Sequence, residues 1–375
     1  MDLSGEYALT QLERVVFGAG SVARLGGEMD RLTAARAVVV TGRTLGASPL
    51  LSRVTGALGS RCVGVFKGAR QHVPSDSVDD LLAVLDDVRA DCVVSFGGGS
   101  PIDAAKAAVY RLLAADAPGR GAPLPHVAIP TTLSAGEFTA VAGVTDGGAR
   151  VKHAIVEPRL APRVVVLDPE LTSATPAWLW AASGMRAVDH AVETLYSRYQ
   201  HPVSSSQAAA ALEMLAAHLE ASVDPSALAE RLRCQTAAWM SVQGIAYAGL
   251  GLSHALGHQI GPRWNVAHGV TSCITLPHAM RAIARTSPGR FEAIARALAI
   301  PFDAAHPDTA AAACADATAA LVARLGLPSR LSAVGVPQEE LESVAAVVHG
   351  VMGEHPRVGH QVSRAGISAV LAAAF

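Results

Sequence analysis

The chain has 375 residues, of which 50% are hydrophobic and 17% charged, a composition typical of a folded globular protein with room for two domains. Its formal net charge is −2 and no dense basic segment is present, which argues against nucleic acid as a partner. No run of about 18 uninterrupted apolar residues occurs, so we expect no membrane-spanning helix.

The cysteines and the N-terminus bear on the cellular compartment. Five cysteines show no CxxC motif and no regular spacing, which is typical of reduced thiols. The first residues, Met1 to Glu6, lack the basic segment and apolar run of a secretion signal. We therefore expect a cytoplasmic protein.

The first half of the chain alternates short apolar runs with helical patterns. The strand-like runs are residues 37–41, 62–66, 92–96, 126–130 and 164–168. A helical pattern covers residues 78–89. Continuous apolar strands separated by helices predict a parallel sheet that is covered on both faces.

The character of the sequence changes after Pro169. Strand-like runs end there, and segments rich in alanine and leucine at helical spacing follow, such as residues 208–219 and 310–325. We therefore predict an α/β domain over residues 1–170 and an all-helical domain over residues 171–375.

A glycine-rich segment lies between the third strand and the helix after it. The glycines at 97–99 allow close backbone approach to a ligand, and Pro101 suits the first turn of a helix. The free N–H groups of that turn attract an anion, so the segment predicts a phosphate site; a turn without a ligand is the alternative. Thr131 and Thr132, at the end of the next strand, have hydroxyls suited to a phosphate or ribose.

Three histidines in the second half suggest one site. His254 and His268 are fourteen residues apart, and Gly261, Pro262 and Asn265 predict a break in the helix between them. The chain is expected to turn there, so that the two imidazoles converge. His190 is the third candidate.

The residue four positions before His190 decides whether these histidines suit a metal. Residues at i and i+4 share a helix face, and a carboxylate there would complete a divalent metal site. That position is Arg186, whose guanidinium carries only donors and repels a cation. The spacing is that of a metal site, except that a positively charged side chain occupies the position of one ligand.

The order of these motifs resembles the iron-containing (group III) alcohol dehydrogenases over nearly the whole chain. Similarity to the maleylacetate reductases of that family lies in four further segments, residues 15–20, 68–74, 183–193 and 362–371. The motifs are Gly97-Gly98-Gly99-Ser100 with Asp103 and Lys106, Pro130-Thr131-Thr132, His190, His254 with His258, and His268-Gly269.

The resemblance implies an N-terminal dinucleotide-binding domain, an all-α C-terminal domain that holds the substrate or metal site, a homodimer, and hydride transfer from a nicotinamide. It implies that residues 97–100 (Gly97, Gly98, Gly99 and Ser100) hold the pyrophosphate and that Asp103, Thr131, Thr132 and Lys152 line the cofactor. His190, His254 and His268 match the family's metal ligands, and His258 matches a histidine near the nicotinamide. The metal-binding members have Asp where this chain has Arg186.

The end of the first predicted strand bears on cofactor choice. Family members that prefer NAD are similar in carrying Asp at the position of Gly42, where a carboxylate meets the ribose hydroxyls. Here the carboxylate is absent and Arg43 follows, which favours NADPH, or use of both NADPH and NADH.

The resemblance therefore implies an NAD(P)H-dependent reductase of the maleylacetate reductase type, which converts maleylacetate to 3-oxoadipate in aromatic degradation. We expect no metal: Arg186 holds a substrate carboxylate, His258 or His254 supplies the proton, and His190 and His268 donate hydrogen bonds. An ion pair between Arg186 and Asp189 is the structural alternative.

Besides a non-enzymatic sensor, two other functions remain open from the sequence. The first is an alcohol or aldehyde dehydrogenase-like oxidoreductase whose substrate is a simple aldehyde or a biosynthetic intermediate. The second is a lyase similar to dehydroquinate synthase, although such enzymes need lysines in the substrate pocket and residues 171–375 contain none.

Overall fold

A computed structural model describes residues 9–115, 123–145 and 152–375. The chain forms two compact units that meet in sequence at Thr175 and Pro176. The first unit is an α/β domain. Its strands are β1 Arg14–Phe17, β2 Ala37–Val40, β3 Cys62–Phe66, β4 Cys92–Gly97, β5 His126–Pro130, β6 Val141–Thr145, β7 Lys152–Val156 and β8 Val164–Leu167. Its helices are α1 Leu25–Arg31, α2 Arg43–Gly46, α3 Pro49–Leu58, α4 Ser75–Asp87 and α5 Gly99–Ala114.

Six strands form a parallel sheet in the order β1-β8-β5-β4-β2-β3. Strands β2, β4, β5 and β8 are buried at every position, which explains their continuous apolar sequences. Separate apolar clusters cover the two faces of the sheet. The five strands and the helix predicted from the sequence are all present.

Three strands were not predicted, and their positions explain why. Strand β1 lies at the edge of the sheet, where Arg14 and Phe17 are exposed, so no continuous apolar run marks it. Strands β6 and β7 form a separate antiparallel pair. Val141 and Val156 at its ends are exposed, so this pair also lacks a buried run.

The carboxyl ends of β2, β4 and β5 are neighbours at one edge of the sheet. Strand β2 pairs with β3 on one side and with β4 on the other, so the chain reverses its direction of travel across the sheet there. Ligands of open α/β sheets bind outside such a reversal. The fold therefore brings the segments after these three strands together.

The second unit is helical. Among the helices described, none has the length and apolarity that crossing a membrane requires. The helices are α6 Ala177–Tyr196, α7 Pro202–His218, α8 Leu228–Val242, α9 Ile245–Ala248, α10 Leu252–Trp264, α11 His268–Ala284, α12 Glu292–Ala297, α13 Pro307–Arg324, α14 Leu341–Glu354 and α15 Arg364–Ala374.

Helix α6 is the central helix of this unit, with every residue from Trp180 to Tyr196 buried. Four of these buried residues are ionisable in addition to Tyr196: Arg186, Asp189, His190 and Glu193. Buried polar groups must find partners inside the protein, since water cannot satisfy them. Arg186 and Asp189 pair within α6, and Arg186, Asp189 and Glu193 also have partners on α10 or α11, which defines the candidate site.

The break between His254 and His268 differs from the prediction in position. Helix α10 continues through Gly261 and Pro262 and ends at Trp264, followed by the C-cap Asn265, whose φ of 53° is left-handed. Asparagine tolerates this conformation better than most residues and commonly ends a helix. The turn was predicted correctly, but Asn265 alone makes it.

Candidate active site

The glycine-rich segment and the threonines after β5 are in direct contact. Gly97 has a φ of 148°, and its carbonyl accepts a hydrogen bond of 2.9 Å from the N–H of Thr131. A Cβ on Gly98 would lie 3.0 Å from Cγ2 of Thr132, so only glycine lets the two segments approach this closely. The structure therefore brings these predicted cofactor residues together.

Helix α5 begins at this contact without a side-chain cap. Gly98 is its N-cap in an extended conformation, and no acidic residue occupies the first turn, which holds Gly99 and Ser100. The first N–H groups of the helix therefore remain available, and the helix dipole favours an anion there. Asp103, one turn further on, accepts a hydrogen bond of 3.2 Å from the N–H of Gly143.

The remaining predicted cofactor residues are placed as follows. Gly42 is the N-cap of α2 after the neighbouring strand β2, and Arg43 is exposed as the first residue of that helix. The backbone of Lys152 begins β7, but its side chain lies outside the described residues. The segments after β2, β4 and β5 thus share one edge, as the parallel sheet requires.

Four histidines of the second unit form a chain of adjacent rings. The ring centroids of His190 and His254 are 5.0 Å apart, those of His254 and His258 are 6.2 Å apart, and those of His258 and His268 are 5.7 Å apart. His190 and His254 are buried, His268 is half-buried and His258 is exposed. We call these four residues the histidine cluster. The predicted convergence of the helices is therefore observed.

Arg186 lies against this cluster, and its contacts match the ion pair that the sequence left as an alternative. Its Nη1 is 3.4 Å from Oδ2 of Asp189 and 3.2 Å from Oγ of Ser272. Among the described residues, Nε and Nη2 have no hydrogen-bond partner. Nη1 is therefore committed to the protein interior, and the other two nitrogens remain available.

Asp189 is fully buried and accepts hydrogen bonds at one oxygen. Its Oδ2 accepts from Oγ of Ser253 at 2.9 Å and from Oγ of Ser272 at 2.6 Å. Nδ1 of His254 is 3.7 Å from the same oxygen. Asp189 therefore joins α6 to α10 and α11.

Glu193 is a residue whose importance the sequence did not reveal. Its Oε2 is 2.7 Å from Nδ1 of His254. Its Oε1 accepts from the N–H of Ser253 at 2.7 Å and from the hydroxyl of Tyr196 at 3.1 Å. The available signal was spacing, because Asp189 and Glu193 are four residues apart and share a helix face.

The charges of this network shift the ionisation of its members. Burial and the Arg186 charge lower the pKa of His254, but Asp189 and Glu193 outweigh them and the pKa is raised. Burial raises the pKa of Asp189, but His254, Arg186 and Ser272 together lower it to about 2. Burial, with the charges of His254 and Arg186, lowers the pKa of His190 well below its usual value.

Possible metal donors and a fixed positive charge lie side by side in this network. Asp189, Glu193 and His254 offer donor atoms within 4.8 Å of one another. However, Nδ1 of His254 faces Glu193, and Asp189 faces the guanidinium of Arg186. The histidines that match the family's ligands have this fixed cation beside them, which repels a second one.

Two glycines permit the close packing of these helices. A Cβ on Gly251 would overlap the carboxylate of Glu193, and one on Gly269 would overlap the carbonyl of Ala182. Gly269 follows His268 at the start of α11, so the first turn of that helix lies directly on the backbone of α6. The His268-Gly269 pair therefore has a packing reason.

The fold and these sites correspond to a known family. The family model described as iron-containing alcohol dehydrogenase matches residues 13–169, and that of the C-terminal domain of the Fe-containing alcohol dehydrogenase family matches residues 180–375. The chain belongs to the iron-containing alcohol dehydrogenase family, and it is an oxidoreductase. The resemblance stated from the sequence is confirmed.

Individual relatives refine this assignment. The maleylacetate reductase of Burkholderia cepacia is 34% identical over 336 residues, which are 89% of this chain and 88% of the relative. The lactaldehyde reductase of Escherichia coli is 31% identical over 348 residues, 89% of this chain and 90% of the relative. The crystal structure of maleylacetate reductase from Agrobacterium tumefaciens has a TM-score of 0.83 at 28% identity, covering 99% of this chain and 97% of that one. Within its family the chain is similar to maleylacetate reductases.

Proposed function

We propose that this protein is an NAD(P)H-dependent maleylacetate reductase that works without a metal. The observation that carries the proposal is the buried cation Arg186 beside the histidine cluster, in a chain 34% identical to a maleylacetate reductase. A dicarboxylate substrate needs positive and hydrogen-bonding groups, which the guanidinium and imidazoles provide.

Each part of the reaction falls to a group already described. When bound, a nicotinamide cofactor would supply the hydride, with its electron pair, that reduces one carbon of the substrate double bond. A proton from His254 or His258 goes to the neighbouring carbon, which completes the reduction. Arg186 binds a carboxylate through Nε and Nη2, and His190 and His268 donate hydrogen bonds to substrate oxygens.

The cofactor occupies the edge formed by the segments after β2, β4 and β5. The pyrophosphate binds at the start of α5, and Thr131 and Thr132 contact the phosphate or ribose. Asp103 and Lys152 complete this lining. Arg43 would attract the 2′-phosphate of NADPH, and Gly42 provides no carboxylate to repel it. A homodimer in the cytoplasm remains our expectation.

Elemental analysis of the purified protein, combined with a maleylacetate assay after chelation, tests the proposal. We expect no stoichiometric zinc or iron, and full turnover with NADPH after treatment with a chelator. Stoichiometric metal with activity lost on chelation would contradict the metal-free reaction. Absence of both metal and turnover would contradict the proposal that maleylacetate is the substrate.

The similarity to a lactaldehyde reductase supports a second candidate, an aldehyde reductase with a substrate that lacks a carboxylate. The variant Arg186→Gln separates the two. For maleylacetate, loss of a charged hydrogen bond of about 1.5–3 kcal/mol should raise KM roughly 10- to 100-fold. For a neutral aldehyde, KM should be unchanged.

A further inference from the structure

We propose that Glu193, supported by Asp189, is a positioning residue that holds the proton of His254 on Nδ1 and leaves Nε2 for the substrate. This inference rests on the proposed function for its kinetic consequence, but the location of the proton can be tested without any activity.

The geometry assigns one nitrogen of His254 to the protein interior. Nδ1 is 2.7 Å from Oε2 of Glu193 and 3.7 Å from Oδ2 of Asp189. A carboxylate that carries no proton can only accept, so the nitrogen facing it must be the donor. Which ring nitrogen of a histidine carries the proton is set by such a partner.

The other nitrogen of His254 has no comparable partner. Nε2 is buried and makes no hydrogen bond within the part of the chain that the structure describes. The nearest histidine rings are those of His190 and His258, with centroid distances of 5.0 and 6.2 Å. A buried nitrogen without a partner is costly, which indicates that a bound molecule satisfies it.

Glu193 cannot rotate freely away from this role. Its Oε1 is held by the N–H of Ser253 and by the hydroxyl of Tyr196, which leaves Oε2 for His254 alone. The Ser253 hydroxyl also contacts Asp189 at 2.9 Å, so the two carboxylates are joined at the start of α10. The orientation of the His254 ring is therefore set by α6.

The proton on Nδ1 matters for catalysis. The imidazolium form of His254, with a proton on each ring nitrogen, gives its Nε2 proton to the substrate and keeps the Nδ1 proton, which Glu193 stabilises there. A histidine in the opposite tautomer is a neutral ring whose only proton is at Nε2, and it is too weak an acid for this step. The same logic explains why a carboxylate beside a catalytic histidine affects turnover more than binding.

NMR of the whole protein with ¹⁵N-labelled histidine tests the proposal directly. The His254→Gln variant assigns the resonances of His254 by their absence. We expect a proton on Nδ1 of His254 in the wild-type protein. A bare Nδ1 would overturn the proposal, whatever the enzyme's substrate.

The variant Glu193→Gln tests the cause. Its amide oxygen should turn to the two donors at Oε1, so that its NH₂ group faces Nδ1 and moves the His254 proton to Nε2. We expect kcat to fall about 100-fold or more, with KM for maleylacetate changed less than about threefold. An unchanged tautomer, or an unchanged kcat, would overturn the proposal.

Two further variants separate positioning from folding. Glu28→Gln makes the same change in another buried, ion-paired carboxylate, 2.9 Å from Arg31, and should leave kcat unchanged. If Glu193→Gln does not fold, Gly251→Ala replaces it, because its methyl displaces the Glu193 carboxylate without removing it. It should reproduce the loss of kcat, and wild-type turnover in Gly251→Ala would contradict the proposal.

If the wild-type protein has no reductase activity, the proposed function fails and the NMR result still decides this inference.

Discussion

At the scale of single residues, Arg186 is a buried cation in direct contact with the carboxylate of Asp189. Its guanidinium is buried, and burial lowers its pKa, although Asp189 and Glu193 oppose this. A buried charge must be paired, and Asp189 is its partner at 3.4 Å. Changing this one residue should therefore change the chemistry of the whole cluster.

The variant Arg186→Asp should bind a divalent metal. It removes the cation and places a carboxylate one helical turn before His190, near His254 and His268. Dialysis against zinc followed by elemental analysis should find about one zinc ion per chain. Arg186→Leu, which removes the charge without adding a ligand, is the control; equal zinc in both variants would contradict the placement of the site.

Gly42 should control cofactor preference. The variant Gly42→Asp adds a carboxylate beside the ribose site, so it should favour NADH by roughly tenfold in kcat/KM through repulsion of the 2′-phosphate. The new Cβ would lie 3.3 Å from the carbonyl of Ala69, which needs only a small shift. Kinetics with both cofactors measure the ratio. Gly42→Asn is the uncharged control, and an equal shift there would show that charge is not the cause.

At the scale of secondary structure, the site depends on how closely α6, α10 and α11 approach. The contact between Glu193 and His254 and the hydrogen bond from Ser253 to Asp189 join α10 to α6. The ring contact between His258 and His268 joins α10 to α11. Small residues at the contacts make this approach possible, since a side chain of any size would separate the helices.

Gly269 should be intolerant of a methyl group. A Cβ there would overlap the carbonyl of Ala182 and lie 2.9 Å from the N–H nitrogen of Ser183. We expect Gly269→Ala to destabilise the protein by about 1–3 kcal/mol, as overpacking does. Chemical denaturation measures this variant and the control Gly350→Ala. A Cβ at Gly350 on α14 would meet open space, so alanine there should stabilise the protein by roughly 0.5–1 kcal/mol. Equal effects would refute the packing argument.

At the scale of the whole molecule, folding stability should depend on a buried histidine in the first unit. His126 begins β5, and its Nε2 is 2.8 Å from Oγ of Ser95. Burial, with the Lys106 charge, lowers the pKa of His126 to about 3 from an ordinary 6.5. The unfolded chain therefore binds more protons below pH 6.5.

Acid should therefore destabilise the protein through His126. The contribution of neutral His126 to the free energy of unfolding is complete above pH 6.5 and is lost as the pH falls toward 3. The loss is about 2 kcal/mol at pH 5. Denaturation of wild type and His126→Gln at pH 7 and pH 5 measures this. The variant should lose about 2 kcal/mol less than wild type between these values. Parallel losses in the two proteins would contradict the assignment.

Much of the fold followed from the sequence because its signals are local. The continuous apolar runs of β2, β4 and β5 predicted buried parallel strands, and the glycines at 97–99 predicted the tight turn after β4. The edge strand β1 and the antiparallel pair of β6 and β7 were missed. Their exposed positions remove the apolar pattern on which such predictions depend.

The sequence by itself determined the buried strands, the helical second unit and the identity of the histidines and Arg186, since all of these depend on local pattern and motif order. Only the tertiary structure decided their partners. Glu193 and His254 are separated by 61 residues of chain, and the packing of α10 on α6 alone brings Nδ1 to within 2.7 Å of the carboxylate. The reason is physical: residue type sets what a side chain can donate or accept, but distance decides which groups pair.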